Sequence, residues 1–216
     1  MRELGILQKH IDLLIQRYPE LESVKEQLVE GYFLLEDCYN NGGKLLIAGN
    51  GGSAADAEHM AGELMKSFKM KRSVDPEFEK KLQEIDPERG AELSMKLEGT
   101  LRAIPLVTME ALTTAYSNDV DGLCAFAQQL YGLGDKGDVL LGISTSGNSK
   151  NVMNAAVVAR AMGIKVLGLT GAKGGALAEI ADVAVKAPET ETYMVQELHL
   201  PIYHCWCLML EERFFG

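Results

Sequence analysis

The sequence predicts an α/β fold built on a parallel sheet, and three observations carry that prediction. Short apolar runs of strand length alternate with longer stretches of helical period. Two of those runs end in loops rich in Gly, Ser and Asn that open into helices, as ligand loops do at the carboxyl ends of parallel strands. The 216 residues show no internal repeat and no low-complexity tract, and that length supports one large domain with its own core.

Taken in order, residues 3–40 read as two helices broken at Tyr18-Pro19, with Leu21, Val24, Leu28, Tyr32 and Leu35 recurring at helical spacing. Asn41-Gly42-Gly43 ends this N-terminal helical segment (1–41). Lys44–Ala48 is the first strand, followed by Gly49-Asn50-Gly51-Gly52-Ser53 and a helix to about Phe68. Residues 103–107 form a second strand, and Pro105 places it at an edge because proline cannot donate to a ladder. Residues 138–143, 165–169 and 182–186 complete five strands. A helix to about Met162 follows the third strand, and a long helix from about Tyr193 to Arg213 closes the chain. Residues 73–99 stand apart, with eight acidic and four basic residues and two Asp-Pro steps. They read as an acidic helical insertion, with helices starting near Pro76 and Pro87. A solvated excursion is the favoured reading of it, and a flap over the site is the alternative.

A net charge of -10 argues against a nucleic-acid surface, which needs a concentrated basic patch. No apolar run is long enough to span a bilayer, and Met1-Arg2-Glu3-Leu4 lacks a signal-peptide pattern. Cys38, Cys124, Cys205 and Cys207 show no metal or disulfide spacing, so they read as reduced packing residues of a cytoplasmic protein.

The chemistry sits in the loops. Gly49–Ser53 lets the backbone approach a ligand at a helix N-terminus, where N–H groups carry partial positive charge. It is neither a Walker loop nor G-x-G-x-x-G, and alone it is more often only tight geometry. Ser144-Thr145-Ser146-Gly147-Asn148-Ser149 is sharper, because four hydroxyls crowd six residues at a helix start. A plain N-cap needs one hydroxyl, and four suit a phosphate. Among the four histidines, His10 reads as a surface residue of the first helix. His59 and Glu63 stand at i and i+4, and Gln196 and His204 stand eight apart on the last helix, with His199 slightly off that line. Two imidazoles, a carboxylate and an amide suit a divalent metal, zinc first. Spacing alone keeps the plainer readings ahead, a surface ion pair for His59–Glu63 and a satisfied core histidine in the terminal helix.

Ala48–Leu64 (AGNGGSAADAEHMAGEL) resembles the phosphoheptose isomerases of the sugar-isomerase (SIS) superfamily. Gly137–Ser149 is similar to their second hallmark, Gln196-Glu197-Leu198-His199 with His204 to their C-terminal signature, and Asn118-Asp119 to a further short pair. The resemblance implies a single flavodoxin-like SIS domain with a five-stranded parallel sheet, assembled as a homotetramer. It implies isomerisation of sedoheptulose 7-phosphate to D-glycero-D-manno-heptose 7-phosphate through an enediol. By position, Glu63 is the implied general base and His204 the general acid. His59, Glu63, Gln196 and His204 are the implied zinc ligands. Ser144, Thr145, Ser146 and Ser149 are implied to hold the phosphate, and Asn50, Gly51, Gly52, Ser53, Asn118, Asp119 and Gln196 to line the sugar. Family members commonly carry Arg where this chain has Ser67, and Asp where it has Tyr193. The basic run Lys66, Lys69, Lys71 and Arg72 is a substitute for that Arg or, more plainly, a solvated helix end. The alternative function is a non-catalytic SIS protein that binds phosphosugars or a partner, as in the DnaA-binding adapter type. A third is an isomerase for another sugar phosphate.

Overall fold

The computed structural model describes residues 2–216. Five parallel strands form one sheet: β1 (Leu45–Ala48), β2 (Ala103–Pro105), β3 (Val139–Ser144), β4 (Lys165–Gly171) and β5 (Val183–Ala187). Their order is β2-β1-β3-β4-β5. This is the doubly wound order whose direction of growth reverses between β1 and β3, and ligands bind in the crevice that such a reversal opens. Every residue of β1 and of β3 is buried, which explains their unbroken apolar runs. Pro105 lies opposite Ile47 on the edge strand, where its missing N–H costs no ladder bond to a further strand.

One face of the sheet is covered by α1 (Gln8–Arg17), α2 (Lys25–Asn40), α3 (Gly52–Met65) and the terminal helix, and the other by helices that follow β2, β3 and β4. The chain does break at Tyr18-Pro19, and the next turn (Pro19–Val24) is a 3₁₀ helix before α2 begins. Asp75 and Asp86 each accept hydrogen bonds from backbone N–H groups of the turn that follows, starting α4 (Pro76–Ile85) and α5 (Pro87–Lys96). Between them these two helices bury only Gly90. Four elements had no clear periodic signal: α6 (Glu110–Tyr116), a π turn at Ser117–Asp121, α7 (Ala125–Leu133) and, beyond α8 (Lys150–Ala161), the short α9 (Gly175–Ile180).

The terminal helix α10 (Thr192–Phe215) continues through Pro201 and buries twelve of its residues. Trp206 anchors it: the indole N–H donates to the Leu28 carbonyl at 2.9 Å, and Gly31 leaves room for the ring. α10 lies beside α3, and that pairing brings the histidines together.

Candidate active site

The loops after β1 and β3 face each other across the crevice where strand order reverses. Gly51 takes φ +56° at the start of α3, a conformation that side chains disfavour. Asn50 and Asn151 exchange amide hydrogen bonds at 2.8 and 2.9 Å, tying the two loops together. Gly147, at φ +67°, lies against the Gly174 backbone so closely that a Cβ would overlap its carbonyl. Ser149 occupies the N-cap position of α8, but its hydroxyl does no capping and pairs instead with Ser144 at 2.9 Å. The Ser146 hydroxyl accepts from the Asn148 N–H at 3.2 Å, and Thr145 is partly exposed beside it. Ser53 is buried, its N–H donating to the Asn50 carbonyl at 3.0 Å. The arrangement offers hydroxyls and the first turn of a helix to an anion.

Two helical turns along α3, the side chains meet those of α10. His59 Nε2 lies 3.3 Å from Glu63 Oε1 and 3.4 Å from His204 Nε2. His59 Nδ1 lies 3.0 Å from the Tyr203 hydroxyl, which donates to Asp56 Oδ1 at 3.2 Å. Burial, and then the neighbouring His59, lower the His204 pKa, which favours the neutral imidazole. Burial raises the Asp56 and Tyr203 pKa values. Lys66 reaches the other Glu63 oxygen at 3.3 Å.

Gln196, on α10, meets the start of α3. It packs on Gly52, where a Cβ would come within 2.7 Å of its amide nitrogen. Asn118 and Asp119 are exposed and bond each other at 2.8 Å on the π turn.

The chain is similar to known proteins both in sequence and in fold. A SIS domain model matches residues 94–171. The phosphoheptose isomerase of Geotalea daltonii is 43% identical over 183 residues, covering 85% of this chain and 82% of that one. That of Helicobacter pylori is 39% identical over 194 residues, covering 90% and 88%. The chain belongs to the phosphoheptose isomerase family. Solved phosphoheptose isomerases have the same fold: that of Neisseria gonorrhoeae superposes with a TM-score of 0.73 at 33% identity, covering 95% of this chain and 96% of that one. That of Francisella tularensis gives 0.75 at 28% identity, covering 98% and 100%.

Against that family background, three expectations need correction. The reading of the basic run as a solvated helix end holds for Lys66, Lys69 and Lys71, which are exposed, and fails for Arg72. Arg72 is buried, donating to Glu211 at 2.9 Å and to the Leu64 and Glu63 carbonyls at 2.7 and 3.0 Å, so it closes the C-terminus of α3. Ser67 is occupied by Glu98, which accepts from its N–H and hydroxyl at 2.7 and 2.8 Å. α3 accordingly stops at Met65, short of Phe68. His10 is not a free surface residue: it pairs with Glu212 at 2.6 Å with its side chain 15% exposed.

Among the described residues, no three His, Cys, Asp or Glu side chains close into a ready cage for a metal ion. His59 instead stands in a row between Glu63 and His204, at 3.3 and 3.4 Å. Those separations match the edge of a tetrahedron with bonds of about 2.0–2.1 Å, and two imidazoles with a carboxylate are zinc donors in kind. The residues therefore suit the ion in kind, while as they stand they do not close around one. Tyr203 and Asp56 were not singled out from the sequence. Asp56 stands three residues before His59 on one helical face, and that spacing was the one signal available.

Proposed function

We infer that this chain is a phosphoheptose isomerase, converting sedoheptulose 7-phosphate to D-glycero-D-manno-heptose 7-phosphate. Most of its length matches relatives of that name. The observation that carries the reading is the meeting of Glu63 and His204 at His59, 3.3 and 3.4 Å away, because a protein that only binds needs no acid–base pair there.

Aldose–ketose isomerisation moves a proton between neighbouring carbons through an enediol. In this reading the hydroxyl-rich loop (Ser144, Thr145, Ser146, Ser149) holds the phosphate at the start of α8, and Asn50, Gly51, Gly52, Ser53, Asn118, Asp119 and Gln196 line the sugar. The Glu63 carboxylate takes the carbon-bound proton and returns it to the adjacent carbon. His204, whose neutral form is favoured by burial, moves the proton between the carbonyl and hydroxyl oxygens. His59, Glu63, Gln196 and His204 are the residues that would hold zinc, which when bound polarises a carbonyl. Cytoplasmic location is supported by four unpaired cysteines. No helix of the described residues is long and apolar enough to cross a membrane. The assembly is proposed to be a homotetramer.

Glu63→Gln preserves shape and removes the base. Turnover of sedoheptulose 7-phosphate should fall by roughly two to four powers of ten, with binding largely kept. Solvent deuterium should enter the carbon next to the carbonyl in wild type and not in the variant. Undiminished exchange in Glu63→Gln removes Glu63 from the role. A wild type inert toward a panel of ketose phosphates returns the chain to the phosphosugar-binding or adapter reading.

A further inference from the structure

We propose that Tyr203 and Asp56 are positioning residues that fix His59 as its Nδ1–H tautomer, so that its bare Nε2 faces Glu63 and His204 as a donor to a zinc ion. This rests on the reading of the His–Glu cluster as the site.

The argument is a count of hydrogens. Tyr203 is fully buried, and its hydroxyl has two polar neighbours, Asp56 Oδ1 at 3.2 Å and His59 Nδ1 at 3.0 Å. The hydroxyl carries one hydrogen. With Asp56 ionised, its carboxylate only accepts, so the hydrogen goes to Asp56. The phenol oxygen then presents lone pairs to His59, and Nδ1 must supply the hydrogen of that second bond. The reverse arrangement, with the hydroxyl donating to Nδ1, would set two oxygens against each other at 3.2 Å with nothing between them. With its hydrogen on Nδ1, the neutral ring turns a lone pair on Nε2 toward the Glu63 carboxylate, a second acceptor, and a cation between the two would satisfy both. Nε2 is the nitrogen that lies 3.3 Å from Glu63 Oε1 and 3.4 Å from His204 Nε2.

The scaffold makes this orientation stiff. Asp56 and His59 share one face of α3, and Tyr203 reaches them from α10. The tyrosine ring stands edge-on to both His59 and His204, with centroids 5.7 and 5.0 Å apart. One residue, Tyr203, thus sits behind both imidazoles, while its neighbour His204 turns toward the cluster. Asp56 Oδ2 is buried with no partner, so Tyr203 supplies the one hydroxyl hydrogen bond that this carboxylate receives. A phenylalanine at 203 would keep the packing and erase the chain of hydrogens.

Tyr203→Phe and wild type are compared as full-length, metal-free protein labelled with ¹⁵N-histidine. Ring nitrogens are read by two-bond correlation, with His59 identified through a His59→Gln control. Wild-type His59 should be Nδ1–H, and in Tyr203→Phe the Nε2–H form should rise to about half or more. Zinc affinity, measured with the metal alone against a competing chelator, should fall about 10- to 100-fold, the usual effect of losing an outer partner of a ligating histidine. An Nε2–H tautomer in wild type overturns the proposal without any variant. So does a wild type that binds no zinc, or a folded Tyr203→Phe with unchanged tautomer and affinity. Isomerase assays on wild type separate the two readings. Activity with an Nε2–H His59 retires the positioning role alone. Inactivity with the expected tautomer and zinc shifts retires the enzymatic reading and supports the positioning role.

Discussion

His199 shows what burial does to a single titratable side chain next to a site. It lies on α10 with no exposed surface, its Nε2–H donating to the Thr170 carbonyl at 3.2 Å and its Nδ1 buried without a partner. Burial lowers its pKa from 6.5 to about 4, more than that one hydrogen bond can restore. The sign of the consequence follows from proton counting. Below the unfolded value of 6.5 the unfolded chain takes up a proton that the folded one refuses until about 4. Stability from this residue is therefore complete above pH 6.5 and drains away as pH falls toward 4. Between pH ~7 and pH ~4.5 the loss amounts to about 2–3 kcal/mol. Urea unfolding of wild type and His199→Gln at both pH values should show the variant losing less stability on acidification by about that amount. Equal losses would mean that His199 is already protonated in the fold.

At the scale of elements, the helical hairpin α4–α5 tests which parts of the chain the fold requires. Its root is sealed by the Gly99 N–H donating to the Arg72 carbonyl at 3.1 Å, so the two ends lie side by side. Apart from Gly90 it buries nothing, and Ile85 and Met95 are 84% and 74% exposed. Replacing residues 74–97 by a short glycine turn, with Glu98 kept on Ser67, should change unfolding free energy by less than about 1 kcal/mol. It should also leave turnover near wild type, as checked by urea unfolding and kcat/KM. A collapse of kcat/KM with an intact fold would make the hairpin a flap over the sugar. The Asp-Pro steps made these two helices legible, because an Asp cap and a Pro in the first turn act locally. The five strands were legible because burial on both faces leaves unbroken apolar runs. α6, α7 and α9 escaped notice because they are short and lie in glycine-rich or mixed stretches, so tertiary packing decides them. In the site, loop chemistry could be read from hydroxyl density. The Arg72–Glu211 pair and the Asp56–Tyr203–His59 chain could not, since their members stand 139 and up to 147 residues apart.

At the scale of the whole molecule, large apolar side chains stay exposed beside the site. Leu13 on α1 and Leu200 on α10 are 49% and 39% exposed. They flank a cleft of about 170 Å³ that Leu14, Pro201 and Leu208 also line, with Arg17 and His204 on its walls. In the proposed homotetramer, a cleft that is apolar at its rim and reaches His204 is where a second copy would both bury surface and complete the site. Like charges oppose that contact, since each chain carries a net -10. Apolar burial must then outweigh repulsion, and salt should help by screening it. Light scattering of wild type should give the mass of four chains, retained or strengthened when salt is raised to about 0.5 M. Leu13→Glu combined with Leu200→Glu places two new charges where both side chains are already solvated in the single chain, so the protomer should fold normally. The variant should nonetheless scatter as a smaller species and lose turnover together with assembly. A wild type that stays monomeric at micromolar concentration would sink the tetramer. A double variant that keeps both its mass and its rate would show that this cleft faces solvent, and the partner contact would then have to lie elsewhere on the chain.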